Sequence, residues 1–475
     1  VAPPPAPTVA FAREVGEAGA MNISLGDVMK PASIAVAVML RISLGAEVAS
    51  AQEAPVANET STPPESRLDL HFQLTTVTQT HPSFAASYSG KNSLSPDSEH
   101  ETTITSTLFL GARLWKGAEL YVNPELSGGS GLSHTFGIAG FPNGEAFRVG
   151  DAQPRVYLAR LMLRQTVAAG PETEPVEEDA NQLGGRRPVR RWTLTAGRFG
   201  IADFFDNNSY SHDPRMQFLN WADWTAGAWD YAADTRGYTW GFVIGYDDAD
   251  WGARVGATAQ PKVANGPDFD HDLLHAYELS GELDRGFTLG GKKGTARVIV
   301  FYNRARMGNY RQSIQEAGGG PPDITATRRV GRSKWGFAVN VEQSLGDKGG
   351  AFLRGSWNDG RNEAWAYAEI ERSLTAGALW KGPLAFRPDD EMGLAFIVDA
   401  LSRDHRDYLA AGGYGFMIGD GRLSYGLEKI AELYYKAALH RGVWLTADYQ
   451  FVENPAYNRD RGPVHVFGAR LHAAF

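Results

Sequence analysis

The chain has 475 residues, no cysteine and a formal net charge of -9. Without cysteine there is no disulfide framework and no thiolate metal site, and without a basic stripe to neutralise phosphates a nucleic-acid partner is not expected. No run of about 20 apolar residues occurs, which excludes a membrane-spanning helix, and abundant Gly, Tyr, Trp and Thr point to an all-β chain.

The first 51 residues read as an upstream segment followed by a secretory signal peptide. In "MKPASIAVAVMLRISLGAEVASAQE", Met29 and the basic Lys30 precede an apolar run from Ala32 to Leu40, and Ala49-Ser50-Ala51 is a small-x-small cleavage site before Gln52. Residues 52–66 form a short tail, and residues 67–475 carry the fold.

From Arg67 onward a period-two pattern recurs, and the charges keep to one of its two phases. In "RLDLHFQLT", Leu68, Leu70, Phe72 and Leu74 oppose Asp69, His71 and Gln73; in "GYTWGFVIGY", Tyr238, Trp240, Phe242, Ile244 and Tyr246 oppose Thr239, Gly241, Val243 and Gly245. In "VWLTADYQF", Val443, Leu445, Ala447, Tyr449 and Phe451 oppose Trp444, Thr446, Asp448 and Gln450, and at the C-terminus Phe467, Leu471 and Phe475 oppose Arg470 and His472. Side chains alternate faces in a strand. A lipid-facing Arg or Lys near the bilayer midplane costs about 2–4 kcal/mol, so this segregation suits a transmembrane barrel.

Strands are expected near 67–78, 103–114, 118–126, 154–166, 191–199, 236–247, 251–259, 273–283, 295–305, 334–345, 351–358, 363–376, 391–402, 423–439, 443–452 and 463–475. An even count returns the C-terminus to the starting side, as in bacterial single-chain barrels. Short turns ("WKG", "DDAD", "GDKGG", "HRG") alternate with long connections at 79–101, 127–153, 200–235, 306–333 and 403–422. One connection on the short-turn side, "AAGPETEPVEEDANQLGGRRPVRR", breaks that rule. Aromatics near strand ends (Tyr238, Tyr246, Trp251, Trp335, Phe475) fit interfacial girdles. About 16 strands leave a water-filled lumen, which predicts an outer-membrane pore.

Several stretches resemble the OprB-type carbohydrate-selective porins: "WKGAELYVNPELSGGSGLSHTFGIAGFPNGEAFRVG", "LTAGRFGIADFFDNNSYSHDPRMQFLNWADWTAGAWDYAADTRGYTWGF", "NRARMGNY", "SWNDGRNEAWAYAEIERSL", "HRDYLAAGGYGFMIGDGRLSYGLEKIAELYY" and "NPAYNRDRGPV". The resemblance runs from about Leu108 to the C-terminus. It implies a sixteen-stranded barrel in the bacterial outer membrane that passes monosaccharides and related neutral sugars without a catalytic step. Phe475 also resembles the terminal aromatic that barrel-assembly machinery recognises.

A neutral sugar asks of its channel donors and acceptors of both signs, with aromatic platforms for its C–H face, whereas a single-sign ring selects ions. Inward-phase candidates for the substrate path are Arg113, Glu119, Tyr121, Asn123, Glu125, Arg160, Arg164, Arg198, Arg354, Asn358, Glu369, Glu371, Asp448 and Arg470. The bland alternative for each is an ion pair that stiffens the wall. The loop 200–235 alternates aromatics with Asp and Asn: Phe204, Phe205, Asp206, Asn207, Tyr210, Trp221, Asp223, Trp224, Trp229, Asp230. Exposed at a tip it would present a large apolar patch to water, so it is expected to fold inward as the constriction, either stacking on sugars or gluing the loop to the wall.

No cofactor and no catalytic residue are expected. Asp206, Asn207 and Asp213 are oxygen ligands of the kind that hold Ca²⁺, but their spacing is not that of an EF-hand. The carboxylate pairs Glu119/Glu125 and Glu369/Glu371 could suggest a glycosidase, yet each lies in one strand phase, and neither G-x-S-x-G nor H-E-x-x-H occurs. A plugged transporter would need a globular domain before the first strand. Expected partners are neutral sugars, outer-membrane lipid and lipopolysaccharide, with a homotrimer as one arrangement of the protomers.

Overall fold

A computed structural model describes residues 65–146, 152–367 and 369–475; the expected signal peptide and all but the last two residues of the tail lie outside them. The strands are β1 (Leu68–His81), β2 (Glu99–Trp115), β3 (Ala118–Gly129), β4 (Arg155–Ala168), β5 (Thr173–Val176), β6 (Gly185–Pro188), β7 (Arg191–Phe199), β8 (Thr239–Asp247) and β9 (Trp251–Ala259). They continue with β10 (Tyr277–Leu289), β11 (Lys292–Ala305), β12 (Arg332–Ser344), β13 (Gly349–Asn358), β14 (Arg372–Lys381), β15 (Glu391–Ala400), β16 (Glu428–His440), β17 (Val443–Glu453) and β18 (Val464–Ala474). β5 and β6 pair only with each other; the other sixteen form one closed antiparallel barrel in which β1 meets β18. That seam runs in register from Gln73 opposite Ala474 to Thr80 opposite Phe467. Beyond it Phe72 and Phe475 exchange backbone hydrogen bonds of 2.9 Å, so no edge is left at the closure.

Alternation settles which side of the wall each residue faces. Phe467 and Leu471 are exposed on the outside, while Arg470 and His472, between and beside them, are buried inside. Leu110, Phe242, Val300, Leu353, Phe396 and Leu445 extend the outer apolar band around the barrel. Trp192, Tyr246 and Trp251 cluster at one rim and Trp335, Phe337 and Trp357 at the other, as interfacial rings do. No described helix is long and apolar enough to cross a membrane; the strands do so.

All sixteen expected strands are present, with local shifts. The strand expected at 363–376 starts only at Arg372, because Glu369 and Glu371 belong to a loop where they accept backbone N–H groups. The strand expected at 273–283 is Tyr277–Leu289. Tyr238 is not an interfacial ring: β8 starts one residue later, and after Gly237 at φ 94 its side chain turns into the barrel. The irregular connection between β4 and β7 forms the β5–β6 hairpin.

The long loop between β7 and β8 is largely buried within the barrel. It carries the short helix α1 (Trp221–Trp224), whose Ala222 N–H is capped by the Asn220 side chain. Two further helices, α2 (Tyr310–Glu316) and α3 (Arg403–Ala410), lie in loops on the same end of the barrel and pack together.

Candidate functional site

A loop inside a barrel brings backbone N–H groups that lose their water, and each needs an acceptor. The inward faces of β10, β12 and β16 supply them as carboxylates. Glu282 accepts from the Asp206 N–H at 2.7 Å, Glu342 from Ser209 at 2.6 Å, and Glu432 from Leu219 at 2.6 Å and Asn220 at 3.0 Å. Glu278 takes the Ala232 N–H and the Trp229 indole N–H. Glu428 receives Ala139, Gly140 and Ala456, tying a second inward segment to the same wall. Basic side chains hold loop carbonyls: Arg470 donates to Pro214 and Gln217 oxygens at 2.7 and 2.6 Å, and Arg354 to the Ser211 and Asp223 oxygens at 2.5 and 2.6 Å.

The loop therefore fills one side of the bore, and open space is left along β2, β3, β4, β7 and β8. An outer chamber of about 840 Å³ is lined by Arg155, Tyr157, Arg198, Asp234 and Arg236. A narrow stretch of about 290 Å³ follows, lined by Glu125, Arg160, Asp203, Arg215, Trp224 and Tyr238. It leads to an inner vestibule of about 1330 Å³. Arg236 borders the first two spaces, and Arg160, Asp203 and His212 border the last two.

Most charges at the narrow stretch are paired. Arg160 grips Asp203 with two hydrogen bonds of 2.7 and 2.5 Å, a bidentate geometry with little freedom. In the outer chamber Arg198 meets Asp234 at 2.5 Å. Glu125 collects hydrogen bonds from Thr107, Tyr157, Tyr238 and Arg215. Arg215 also holds Glu145 at 3.0 Å, and the two carboxylates keep its guanidinium well above the usual arginine range despite burial. Arg236 lies 4.2 Å from the Tyr157 ring centre, a cation–π contact. His212 is lowered by burial and by Arg354, so at neutral pH it is an uncharged wall residue. The passage thus presents hydrogen-bonding groups of both signs with little net field, plus the faces of Tyr157, Tyr238 and Trp224.

The family model for the carbohydrate-selective porin, OprB family, matches residues 91–475. The chain belongs to that family. Among solved structures, OprB of Pseudomonas putida at high pH is similar at 17% identity, with 86% of this chain and 94% of that chain covered and a TM-score of 0.64, a likeness of fold. The low-pH structure of the same protein has 14% identity, coverage of 86% and 93%, and a TM-score of 0.46. The outer membrane channel DcaP of Acinetobacter baumannii has 12% identity, coverage of 86% and 97%, and a TM-score of 0.45. No curated protein matches. The chain is accordingly a sugar channel of the bacterial outer membrane and not an enzyme.

The porin sorts the residues expected from its sequence into three groups. Glu125, Arg160, Arg198 and Trp224 border the outer chamber or the narrow stretch, and Arg113, Glu119, Tyr121, Arg164, Phe204 and Asn207 border the inner vestibule. Asn123 points inward but is buried against Asn181 of the β5–β6 hairpin. Arg354, Asn358, Glu369, Glu371, Asp448 and Arg470 also point inward, yet they are buried beneath loops instead of meeting the water path.

In the constriction loop, Phe205, Asp206, Asp223, Trp229 and Asp230 are buried contacts with the wall. Asp206 binds Arg354, Asn340 and the Ala226 N–H, and Asp230 binds Lys334 and the amides of Trp365 and Ala366. With Asp206 so engaged, the structure does not gather it and Asp213 into a cation cluster among the described residues. Glu369 and Glu371 bind loop amides and flank His405, which leaves no room for the acid/base pairing of a glycosidase. Tyr157, Asp203, Arg215, Arg236 and Tyr238 are path residues that strand alternation alone does not reveal.

Proposed function

We propose that neutral mono- and small oligosaccharides are selected in the narrow stretch between Arg236 and the Arg160–Asp203 pair. Its volume of about 290 Å³ holds about ten water molecules at roughly 30 Å³ each. A pyranose entering it gives up much of its hydration and needs replacement partners. Arg160, Asp203, Arg215 and Glu125 offer donors and acceptors for hydroxyls, and Trp224 and Tyr238 offer ring edges or faces for the C–H side. The observation that carries this reading is the pairing of every carboxylate named here with a cation or hydroxyl donor, which leaves a polar but nearly neutral passage. An ion gains little there, whereas a hydroxylated neutral solute gains directional hydrogen bonds.

The outward apolar band and its aromatic rims are read as the contact with outer-membrane lipid and lipopolysaccharide. Liposome swelling with purified protein tests the selectivity, using glucose, disaccharides, amino acids and organic acids of matched size. Faster entry of glucose than of equally sized acids is expected. Equal rates would make this a general pore.

A further inference from the structure

The β5–β6 hairpin is not an idle surface loop. Its tip, residues 177–184, tucks into the vestibule mouth: Leu183 is buried, Asn181 takes the Asn123 side-chain N–H at 2.9 Å and its carbonyl receives Arg164 at 3.3 Å. Arg113 donates to the Gly184 carbonyl at 3.2 Å, and the incoming chain is tied to the same tip through the Ser66 N–H to Gly184 and the Ser66 hydroxyl to Glu178. Beside this tip β1 presents Asp69 and His71, two residues apart and therefore on one inward face.

We propose that Asp69, His71 and Glu178 form a divalent-cation site of the zinc type that staples the hairpin to the first strand. Three observations support it. The ligand atoms of the three residues lie within 4.8 Å of one another. The Asp69 carboxylate is fully buried, and neither of its oxygens makes a well-aligned hydrogen bond, so His71 is its one close charged neighbour and its burial is only partly compensated. His71 Nε2 sits 2.8 Å from Asp69 Oδ1, but the two are not aligned as donor and acceptor, and Nε2 is also without a hydrogen bond. Three ligand-type atoms gathered this closely, two of them from residues whose side-chain atoms make no hydrogen bond, are placed as metal ligands are.

The donor set, one imidazole nitrogen and two carboxylate oxygens, matches Zn²⁺ and its three-ligand sites with water in the fourth position. It does not suit Ca²⁺, which takes six to eight oxygens. Glu178 is exposed and sits on a short hairpin, so its side chain supplies the closing movement. The Ser66 hydroxyl engages only its Oε2, leaving Oε1 for the ion. Metal binding would fix the hairpin across the mouth of the vestibule and so set how widely the channel opens on that side.

The test uses the folded, detergent-purified porin stripped with EDTA and titrated with ZnCl₂ by calorimetry. One equivalent should bind, and affinity should fall by roughly tenfold or more in Glu178→Gln and His71→Ala. Glu178 lies outside the barrel wall, so its variant keeps the barrel; heat-modifiable gel migration checks His71→Ala. The exposed pair Asp272/His275 is the control, and His275→Ala should bind as wild type. A second readout is tryptic cleavage after Arg186, which Zn²⁺ should slow in wild type and not in Glu178→Gln. Stoichiometric binding that survives both ligand variants, or no binding by wild type, overturns the proposal.

Discussion

Trp229 donates its indole N–H to Glu278 over 3.1 Å, deep against the wall of β10, and this contact makes it a structural residue of the constriction loop. Trp224, five positions earlier, is only partly buried, lines the narrow stretch and packs edge-on against Trp221 with ring centres 4.9 Å apart. Its indole has no hydrogen-bond partner. The two tryptophans should therefore answer differently to alanine. Trp224→Ala is expected to weaken sugar block of single-channel current by about threefold to tenfold, the worth of one aromatic contact, with ionic conductance nearly unchanged. Trp229→Ala leaves a cavity and a buried carboxylate short of a donor, costing about 3–5 kcal/mol of loop docking. It should raise current noise while leaving sugar affinity in the quiet open level intact. Equal effects of the two variants would erase the distinction.

The anchoring of the loop has a single most vulnerable point. Arg354 is buried, meets Asp206 at 3.2 Å and donates to the Ser211 and Asp223 carbonyls. Replacing it with Met keeps much of the volume but leaves the buried Asp206 carboxylate without its cation, held only by Asn340 and the Ala226 N–H, a loss of about 3–5 kcal/mol for a broken buried pair. Hydrogen exchange in residues 203–225 of Arg354→Met should accelerate strongly while the barrel strands keep their protection. Unchanged exchange in that segment would mean that the acid wall alone holds the loop.

Much of this was legible in the residue pattern, and what was not has definite causes. Period-two alternation told which side chains face inward, because a lipid-facing charge is prohibitive; Arg354 and Arg470 do face inward. Alternation is silent on whether an inward residue meets water or a loop, since the path of residues 200–238 decides that. A usable signal was present in the acids spaced four apart on one strand face, Glu278 with Glu282 and Glu428 with Glu432, which read better as a rack for loop amides than as sugar contacts. Tyr157 was hidden for another reason. Asn123 faces Arg160 while Pro124 faces Leu158, so β4 carries one extra residue at Ala159. Such a bulge reverses the phase and puts both Tyr157 and Arg160 inside. Asp203, Arg215 and Arg236 lie in a loop, where no periodicity applies.

Asp223 makes loop docking pH-dependent. Burial pushes its carboxyl up to about 8, with Arg354 opposing and the Asp448 carboxylate adding to the rise; its Oδ2 has no partner. Docked, the group holds its proton through neutral pH; released into water it returns toward 3.8. Between those values the docked state binds more protons, so docking is strongest in acid and weakens as pH rises towards 8, levelling above it. Loop-derived current fluctuations should thus be rarer at pH 5 than at pH 9. Asp223→Asn, which cannot ionise, should flatten that dependence. A wild-type trace equally quiet at both ends of the range would refute the assignment.

The Arg160–Asp203 pair allows a test of neutrality itself. The two side chains are locked together where the middle space meets the inner vestibule, so each single substitution exposes the other's charge to passing ions. An ion about 7 Å from one unpaired charge in water gains or loses about 0.6 kcal/mol, roughly threefold in relative permeability. Arg160→Ala should shift the reversal potential in a salt gradient toward cation preference by that factor, and Asp203→Asn toward anions. The double variant should return close to wild type in ion preference, because the net charge is restored, but it should lose sugar discrimination, because the hydroxyl partners are gone. Ion and sugar selectivity recovering together in the double variant would show that charge balance, not hydrogen bonding, sorts the solutes.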